Sequence, residues 1–423
     1  MKRIALLIGC LLFLPGSGLA QAADETQEKL RALEDRIIAL EGEIRALKAA
    51  QAANAPAESA ARPAEQAAIT TAPAAVQQPT PVVATSTSAA PVPVYGGSSA
   101  AAKVLNPDIS VIGDFIGAAG RDPNRSVPTL EMHESEVGFQ AIIDPYARGD
   151  FFLSFGQEGV NLEEGYITFT SLPGGVVAKV GKLRSSFGVV NTLHNHVLPW
   201  IDRPLVTRSL VGGEDGINDA GLSISRILPA PKGIFLEATT QLFRGDSADV
   251  FHSTRRGDVL AVGHLRGYGD LSESTNLDMG LSYARGHNDV GTAFRTQLFG
   301  VDATLRWKPL RRAVYHNFLL RSELIWSQRQ EIGSVQKAFG FYTSADYRLT
   351  RRWTFGGRYD RSGQAQNAAL TDSGFSPVLT YWPSEFSQIR GQYSFTRYAD
   401  GRSGNDLMFQ LLFVLGAHGA HPF

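Results

Sequence analysis

Two pairs of histidines have a spacing that can bring two imidazoles to one metal ion. His194 and His196 are separated by one residue, and His418 and His421 by two residues. Imidazole nitrogen is a common zinc ligand, but a site needs further ligands, and neither pair has a third one close by in the sequence. These four histidines, His194, His196, His418 and His421, are therefore the candidate metal ligands of the chain, with zinc as the expected ion.

The chain contains no recognisable sequence motif of a common enzyme class. It has no Gly-x-Ser-x-Gly nucleophile motif, and its Ser, His and acidic residues are scattered. The single cysteine, Cys10, excludes a disulfide framework and cysteine-based zinc sites. We expect a protein that is not an enzyme and that needs no cofactor.

Two sets of charged residues could line a narrow, water-filled passage, in which charges select ions by sign. The segment from about Val189 to Asn218 and the strand after it carry the loop candidates Asp202, Arg203, Arg208, Glu214, Asp215 and Asp219. Alternation along the predicted strands places on the lumen wall Glu134, Glu136, Glu164, Glu323, Arg306, Arg321, Arg358 and Arg390. We expect loop acids to face wall arginines and to set up a transverse electric field. The competing interpretation is that these charges pair and stiffen the wall.

Composition excludes several classes of protein. The chain has 423 residues and a net charge of −1, so no strong field directs it to nucleic acid. Hydrophobic residues make up 43% of the chain and the mean hydropathy is −0.09, which excludes a bundle of apolar membrane helices. Spread-out apolar residues with 43 glycines are compatible with a membrane β-barrel.

The second part of the chain has the two-residue period of β-strands. Trp353, Phe355 and Tyr359, for example, alternate with Arg358 and Asp360. Such segments run for 10–14 residues, as tilted membrane strands require, whereas strands of a soluble β-sandwich are shorter. We predict an all-β fold, a transmembrane antiparallel β-barrel of about sixteen strands over residues 105–423. The predicted strands start near residues 108, 129, 148, 161, 176, 219, 233, 258, 274, 295, 315, 336, 352, 374, 387 and 405.

The predicted connections alternate in length. Connections after even-numbered strands are mostly short, as in Asp144-Pro145-Tyr146, and those after odd-numbered strands are mostly long, including Gly286 to Phe294. Short periplasmic turns and longer outer loops are typical of outer-membrane barrels. Four tryptophans near predicted strand ends fit the aromatic girdles of such barrels: Trp307, Trp326, Trp353 and Trp382.

Three further segments precede the barrel. Residues 1–22 resemble a signal peptide, with a basic start and a short apolar run. Residues 23–50 carry a heptad stripe of Leu and Ile with matched flanking charges, which predicts an α-helical coiled coil in the periplasm and a homotrimer. Residues 51–104 are rich in Ala and Pro, which predicts a disordered linker.

The chain resembles two families of bacterial outer-membrane porins. Its long third outer connection resembles that of trimeric general porins, and Asp144-Pro145-Tyr146, Gly181-Lys182 and Phe187-Gly188 resemble segments of the phosphate-selective porin group. The resemblance implies passive diffusion of small hydrophilic solutes or ions across the bacterial outer membrane. It implies membrane lipid and, from Phe423, the barrel-assembly machinery as partners, with no nucleic acid.

One departure from the phosphate-selective porins concerns charge. Residues 1–102 carry 8 of the 40 Lys and Arg and 9 of the 41 Asp and Glu, which leaves 32 of each sign for the remainder. Phosphate-selective porins have many basic residues in the pore, so equal numbers of acidic and basic residues in the barrel do not favour selectivity for phosphate. The alternatives to a general channel are an envelope-tethering or structural barrel, and a zinc-related uptake channel that uses the four candidate histidines.

Overall fold

The computed structural model describes residues 107–124, 128–156, 159–247 and 250–416. The predicted signal peptide, coiled coil and linker lie outside the described residues, as do His418, His421 and Phe423. Sixteen antiparallel strands follow one another around a closed barrel, which is completed by pairing of the first strand with the last. Among the described residues, no helix is long and apolar enough to cross a membrane.

The strands have the following bounds: β1 Asp108–Arg121, β2 Leu130–Asp144, β3 Ala147–Gly156, β4 Gly159–Leu172, β5 Val176–Arg184, β6 Asn218–Leu228, β7 Ile234–Phe243, β8 Leu260–Ser272, β9 Thr275–Asn288, β10 Gly291–Trp307, β11 Phe318–Glu331, β12 Ser334–Arg348, β13 Trp353–Gly363, β14 Thr371–Ser384, β15 Ser387–Arg397 and β16 Ser403–Gly416. The predicted all-β antiparallel barrel of sixteen strands is confirmed, and each predicted start lies within about four residues of the observed one.

The two faces of the barrel wall differ as the alternation predicts. On β13 and β16, large apolar side chains such as Phe355 and Leu407 point outward and are 52% and 60% exposed. The residues between them point inward, and Arg358 and Gln410 are buried there. An apolar exterior with polar groups inside is the arrangement of a barrel whose outer surface meets lipid.

The expected alternation of connection lengths is wrong at several places. Only two residues separate the strands after β3, β9 and β11, whereas ten separate β10 from β11. Most of the predicted long connection from Gly286 to Phe294 is strand, because β9 continues to Asn288 and β10 begins at Gly291. The Asn288 side chain accepts a hydrogen bond from the Val290 N–H (3.2 Å), so polar residues here form a tight turn.

The connection between β5 and β6 is the long one that the sequence predicts. We call residues 185–217 the third loop. It contains short helical turns at Val190–Thr192 and Asn195–Val197, and a helix α1 (Leu205–Thr207) that continues as a wider turn over Arg208–Gly212. Side-chain contacts place this loop inside the barrel rather than above it.

An apolar core lies between the third loop and the wall, beside the charged residues that the alternation places on the lumen face. Loop residues Phe187, Trp200 and Leu210 are buried in one cluster with Leu298 and Ile325 of the wall. A loop that enters a barrel has to bury its backbone and needs apolar surface to pack against. Leu324, Ile325 and Trp326 of β11 are consecutive apolar residues, and Ile325 among them points inward and is buried. The alternation of apolar and polar residues is therefore interrupted where the loop packs against this strand.

Candidate functional site

The third loop enters the lumen through a turn held by Glu323 of β11. The backbone N–H groups of Val189 and Val190 donate to Glu323 Oε1 (2.8 and 2.7 Å), and the Gly188 N–H donates to Ser282 Oγ (2.9 Å). Gly188 has a φ of +64°, and a Cβ there would lie 2.7 Å from Glu323 Oε2. The carboxylate of Glu323 thus fixes the first turn of the loop and leaves space for glycine alone.

On one side the loop meets a group that we call the acidic anchor: His194, His196, Glu136, Glu163 and Glu164. The Nδ1 atom of His194 lies 2.6 Å from Glu136 Oε2 and 2.9 Å from Glu163 Oε2, and its Nε2 lies 2.8 Å from Glu164 Oε2. His196 Nδ1 lies 3.7 Å from the same Glu136 oxygen. All these side chains are nearly inaccessible to solvent. The two most exposed, His194 and Glu164, are each 11% exposed.

A β-bulge explains how two consecutive glutamates reach the lumen. In the β3–β4 pairing, Phe152 lies opposite Glu164 and Leu153 opposite Leu162, so Glu163 is an extra residue. Both Glu163 and Glu164 are buried as a result. Alternation predicted Glu164 alone at the lumen face, and Glu163 is a site residue that the sequence analysis missed.

Negative charge exceeds positive charge at the acidic anchor. Burial disfavours the charged imidazole, but hydrogen bonds that it donates to Glu136, Glu163 and Glu164 outweigh this effect and raise the pKa of His194 well above its usual value. Arg184 adds a second cation, with Nη2 3.3 Å from Glu163 Oε2. Glu134 supplies a fourth carboxyl close to that of Glu163. Four acids therefore share two cations in a buried space.

On another side the loop meets a group that we call the arginine anchor: Trp200, Asp202, Arg358, Asp360 and Arg390. Arg358 lies between two acids, with Nη2 3.0 Å from Asp202 Oδ1 and Nε 2.7 Å from Asp360 Oδ2. Its guanidinium lies 4.8 Å from the centre of the Trp200 ring, at cation–π distance. Arg390 donates to the Trp200 carbonyl (3.2 Å), and Asp360 accepts the Leu205 N–H (3.1 Å).

The wall around the arginine anchor holds polar groups with unused hydrogen-bonding capacity. The Arg321 guanidinium lies 5.8 Å from the Trp200 ring, and its Nε and Nη1 are buried without a hydrogen-bond partner among the described residues. The same holds for Asp346 Oδ2 on β12 and for Trp200 Nε1. Of the predicted wall residues, Arg321, Arg358 and Arg390 are thus brought together around one loop tryptophan.

Several predicted loop residues have other positions. Arg203 holds the loop to itself by donating to the carbonyls of Val190 and Leu193 (3.1 and 2.6 Å). Burial, together with the nearby charge of Arg184, lowers the pKa of Arg203 to about 9. Arg208 lies half-buried on the wide turn after α1.

The remaining predicted charges lie away from both anchors. Glu214 and Asp215 are exposed, and the nearby imidazole of His133 on β2, with Nε2 3.8 Å from Glu214 Oε2, lowers the pKa of Glu214. Asp219 accepts the backbone N–H groups of Gly245 and Asp246 (2.8 and 2.9 Å). Arg306 lies 3.4 Å from its wall partner, Asp278 Oδ2.

No protein-family model matches the chain. An uncharacterized protein of Aquifex aeolicus is 28% identical over 389 residues, which covers 78% of this chain and 82% of that protein. Among solved structures, an anion-selective porin from Comamonas acidovorans has a TM-score of 0.52 at 12% identity and covers 73% of this chain and 98% of its own.

Two further structures are similar to the same extent. The outer membrane channel DcaP of Acinetobacter baumannii has a TM-score of 0.50 at 12% identity and covers 73% of this chain and 96% of its own. OmpT, an outer membrane protein of Vibrio cholerae, has a TM-score of 0.50 at 9% identity, with 73% and 97% covered. At these identities the likeness concerns the fold. The chain has the fold of the outer-membrane porins.

Proposed function

We propose that this protein is an outer-membrane porin through which small hydrophilic solutes or ions diffuse passively. The observation that carries the proposal is a closed sixteen-strand barrel, apolar outside, with a long loop held across a charged lumen. Such a channel acts by shape and electric field and needs no catalytic group or cofactor.

The distribution of charge supports selection by sign. The glutamates of the acidic anchor lie on β2 and β4, and Arg321, Arg358 and Arg390 lie on β11, β13 and β15. Because the strands follow one another around the ring, β11 with Arg321 lies opposite β3, which is between the two glutamate-bearing strands, whereas β15 lies three strands from β2. In this proposal the transverse field comes mainly from Arg321 and the facing glutamates, and Asp202 is the loop acid that meets a wall arginine.

Ion currents across planar lipid bilayers test the proposal. We expect the full chain, refolded in detergent, to give stepwise currents in simple salt solutions. Arg321→Gln removes a lumen cation, so we expect the reversal potential in a salt gradient to shift toward cation permeation. Arg361→Gln, on the outward face of β13, is the matched control and should leave the reversal potential unchanged. Absence of current from protein with normal β-sheet circular dichroism would contradict the proposal.

We further propose that the porin is a homotrimer in the bacterial outer membrane. Its partners are then membrane lipid and the barrel-assembly machinery, with the coiled coil of residues 23–50 in the periplasm. A trimer form of the Vibrio cholerae OmpT structure has a TM-score of 0.50 to this chain. Light scattering of the detergent-solubilised protein should give three chains per particle, and bilayer currents should increase in groups of three steps. A monomeric particle would contradict the trimer.

An envelope-tethering role remains the alternative to transport. It assigns the function to residues 23–102, whereas the porin proposal assigns it to the barrel. Deletion of residues 23–102 distinguishes the two hypotheses. If the protein is a porin, each barrel keeps its conductance after the deletion. If it is a tether, the deletion abolishes the envelope phenotype, while any currents persist.

A further inference from the structure

We propose that the acidic anchor binds one first-row divalent transition-metal ion, with zinc as the expected occupant. One oxygen of Glu136 and one nitrogen each of His194 and His196 lie within 4.8 Å of one another, and all three side chains are shielded from solvent. A porin needs no metal for passive diffusion, so the inference goes beyond the proposed function and does not depend on it.

The distances between the candidate ligand atoms suit a four-coordinate site. Zinc bonds of about 2.1 Å in a tetrahedron place neighbouring ligand atoms about 3.4 Å apart. The observed separations are 2.6 Å from His194 Nδ1 to Glu136, 2.9 Å from His194 Nδ1 to Glu163, and 3.7 Å from His196 Nδ1 to Glu136. Shifts of less than 1 Å bring the short separations to the required value. Glu136, His194 and His196 are thus the three protein ligands, and a water molecule takes the fourth position, as in other zinc sites with three protein ligands.

A group behind the ligands orients one of them. Glu164 Oε2 lies 2.8 Å from Nε2 of His194, the ring nitrogen opposite the one that faces Glu136 and Glu163. A carboxylate that accepts the second N–H of a metal-bound histidine fixes the ring and the tautomer. With Nε2 carrying the hydrogen that Glu164 accepts, Nδ1 is left as the ligand atom. Glu164 is a positioning residue in this arrangement.

The surplus of buried acid favours a cation of charge two. Four buried carboxyl groups, of Glu134, Glu136, Glu163 and Glu164, lie close together around the candidate ligands. Arg184 is in contact with one of them, Glu163. Glu134 Oε2 is buried and accepts no hydrogen bond among the described residues. Buried charges without compensation are costly, and a divalent ion offsets two of them.

The donor set selects among divalent ions. Two imidazoles with carboxylates suit zinc and its first-row neighbours, whereas calcium and magnesium prefer sites made entirely of oxygen. Because the ligands come from β2 and the third loop, a bound ion would also fasten the loop to the wall.

Isothermal titration calorimetry with zinc chloride tests the site in the full chain. The protein is stripped with a chelator, kept in detergent and carries His418→Ala and His421→Ala, so the second histidine pair cannot contribute. We expect one zinc ion per chain. Glu136→Gln and His196→Ala should each weaken binding at least tenfold, and His252→Ala, at an exposed histidine, should not change it. Equal affinity in all four proteins would overturn the proposal.

A second measurement avoids substitutions in the acidic anchor and any variant that fails to fold. Cobalt(II) added to the same stripped protein should give the strong visible absorption of a four-coordinate ion, and one equivalent of zinc should abolish it. Only the weak spectrum of hydrated cobalt, at concentrations that saturate the calorimetric site, would overturn the proposal. Both experiments are made without a membrane, so their failure leaves the channel function untouched.

Discussion

The two anchors of the third loop differ in how their charges are balanced. At the arginine anchor, Arg358 lies between Asp202 and Asp360 and stacks on Trp200, so opposite charges are paired. At the acidic anchor, Glu136, Glu163 and Glu164 lie around His194, and Glu134 lies beside Glu163, so carboxyl groups outnumber the cationic side chains. The first anchor is thus complete within the protein, whereas the proposed metal ion would complete the second. Substitutions that exchange charged for neutral side chains can test this contrast.

The largest effect is expected for Arg358→Met. The change leaves Asp202 and Asp360 buried without their cation, which costs about 3–5 kcal/mol when one partner of a buried pair is removed. The free energy of unfolding, measured in urea with lipid vesicles, should fall by that amount. Arg306→Met is the control, because Arg306 is 31% exposed and its removal should cost less than about 1 kcal/mol. Similar losses for both variants would contradict a buried, paired anchor.

Removal of one acid from each anchor compares them directly. Asp360→Asn weakens the pair with Arg358 and the acceptor for the Leu205 N–H, so we expect a loss of about 1–3 kcal/mol. Glu134→Gln removes one of four crowded carboxyl groups, and the amide N–H can still donate to Glu163, so in metal-free protein we expect no loss, or a gain of up to about 1 kcal/mol. Urea unfolding of both variants measures these changes. A loss at Glu134 equal to that at Asp360 would show that the two anchors do not differ.

Glu323→Gln tests the turn through which the loop enters the lumen. The carboxylate accepts two backbone N–H groups, of Val189 and Val190, and the neutral amide accepts them less strongly. We expect unfolding free energy to fall by about 1–2 kcal/mol and protease cleavage within residues 185–217 to become faster. Glu237→Gln, at a less buried wall glutamate, should leave both measurements unchanged.

The smallest effect is expected for the double variant Glu214→Gln with Asp215→Asn. The Glu214 side chain is 61% exposed and Asp215 is also exposed, so we expect a change below about 0.5 kcal/mol in unfolding free energy. The reversal potential in a salt gradient should change less than for Arg321→Gln. A larger shift of the reversal potential than for Arg321→Gln would show that the loop, and not the wall, carries the charges that select ions.

Local patterns were sufficient to predict the wall of the barrel. Each strand has its own alternation of apolar and polar residues, and neighbours in sequence are neighbours in the sheet, so sixteen strands could be found one at a time. The errors lie where a strand departs from its period. The bulge at Glu163 turns two adjacent residues inward, and Asn288 allows a two-residue turn where polar residues suggested a long loop.

The contacts of the third loop could not be predicted in the same way. His194 meets Glu136 across 58 positions, Val189 meets Glu323 across 134, and Arg390 meets the Trp200 carbonyl across 190. No spacing rule joins residues that far apart. The sequence indicated the pair His194 and His196 and placed Glu136 on the wall. The contact between them could be recognised only from the position of the loop inside the barrel.

The central claim is that a loop held at the arginine anchor narrows an aqueous passage. Single-channel conductance tests this claim most directly, when the unchanged full chain is compared with the Arg358→Met variant. The unchanged protein should conduct, and the variant should show a larger or more fluctuating conductance at equal salt, because its loop is released on that side. If neither protein conducts, or if both give the same steady conductance while the variant is folded, the claim is wrong.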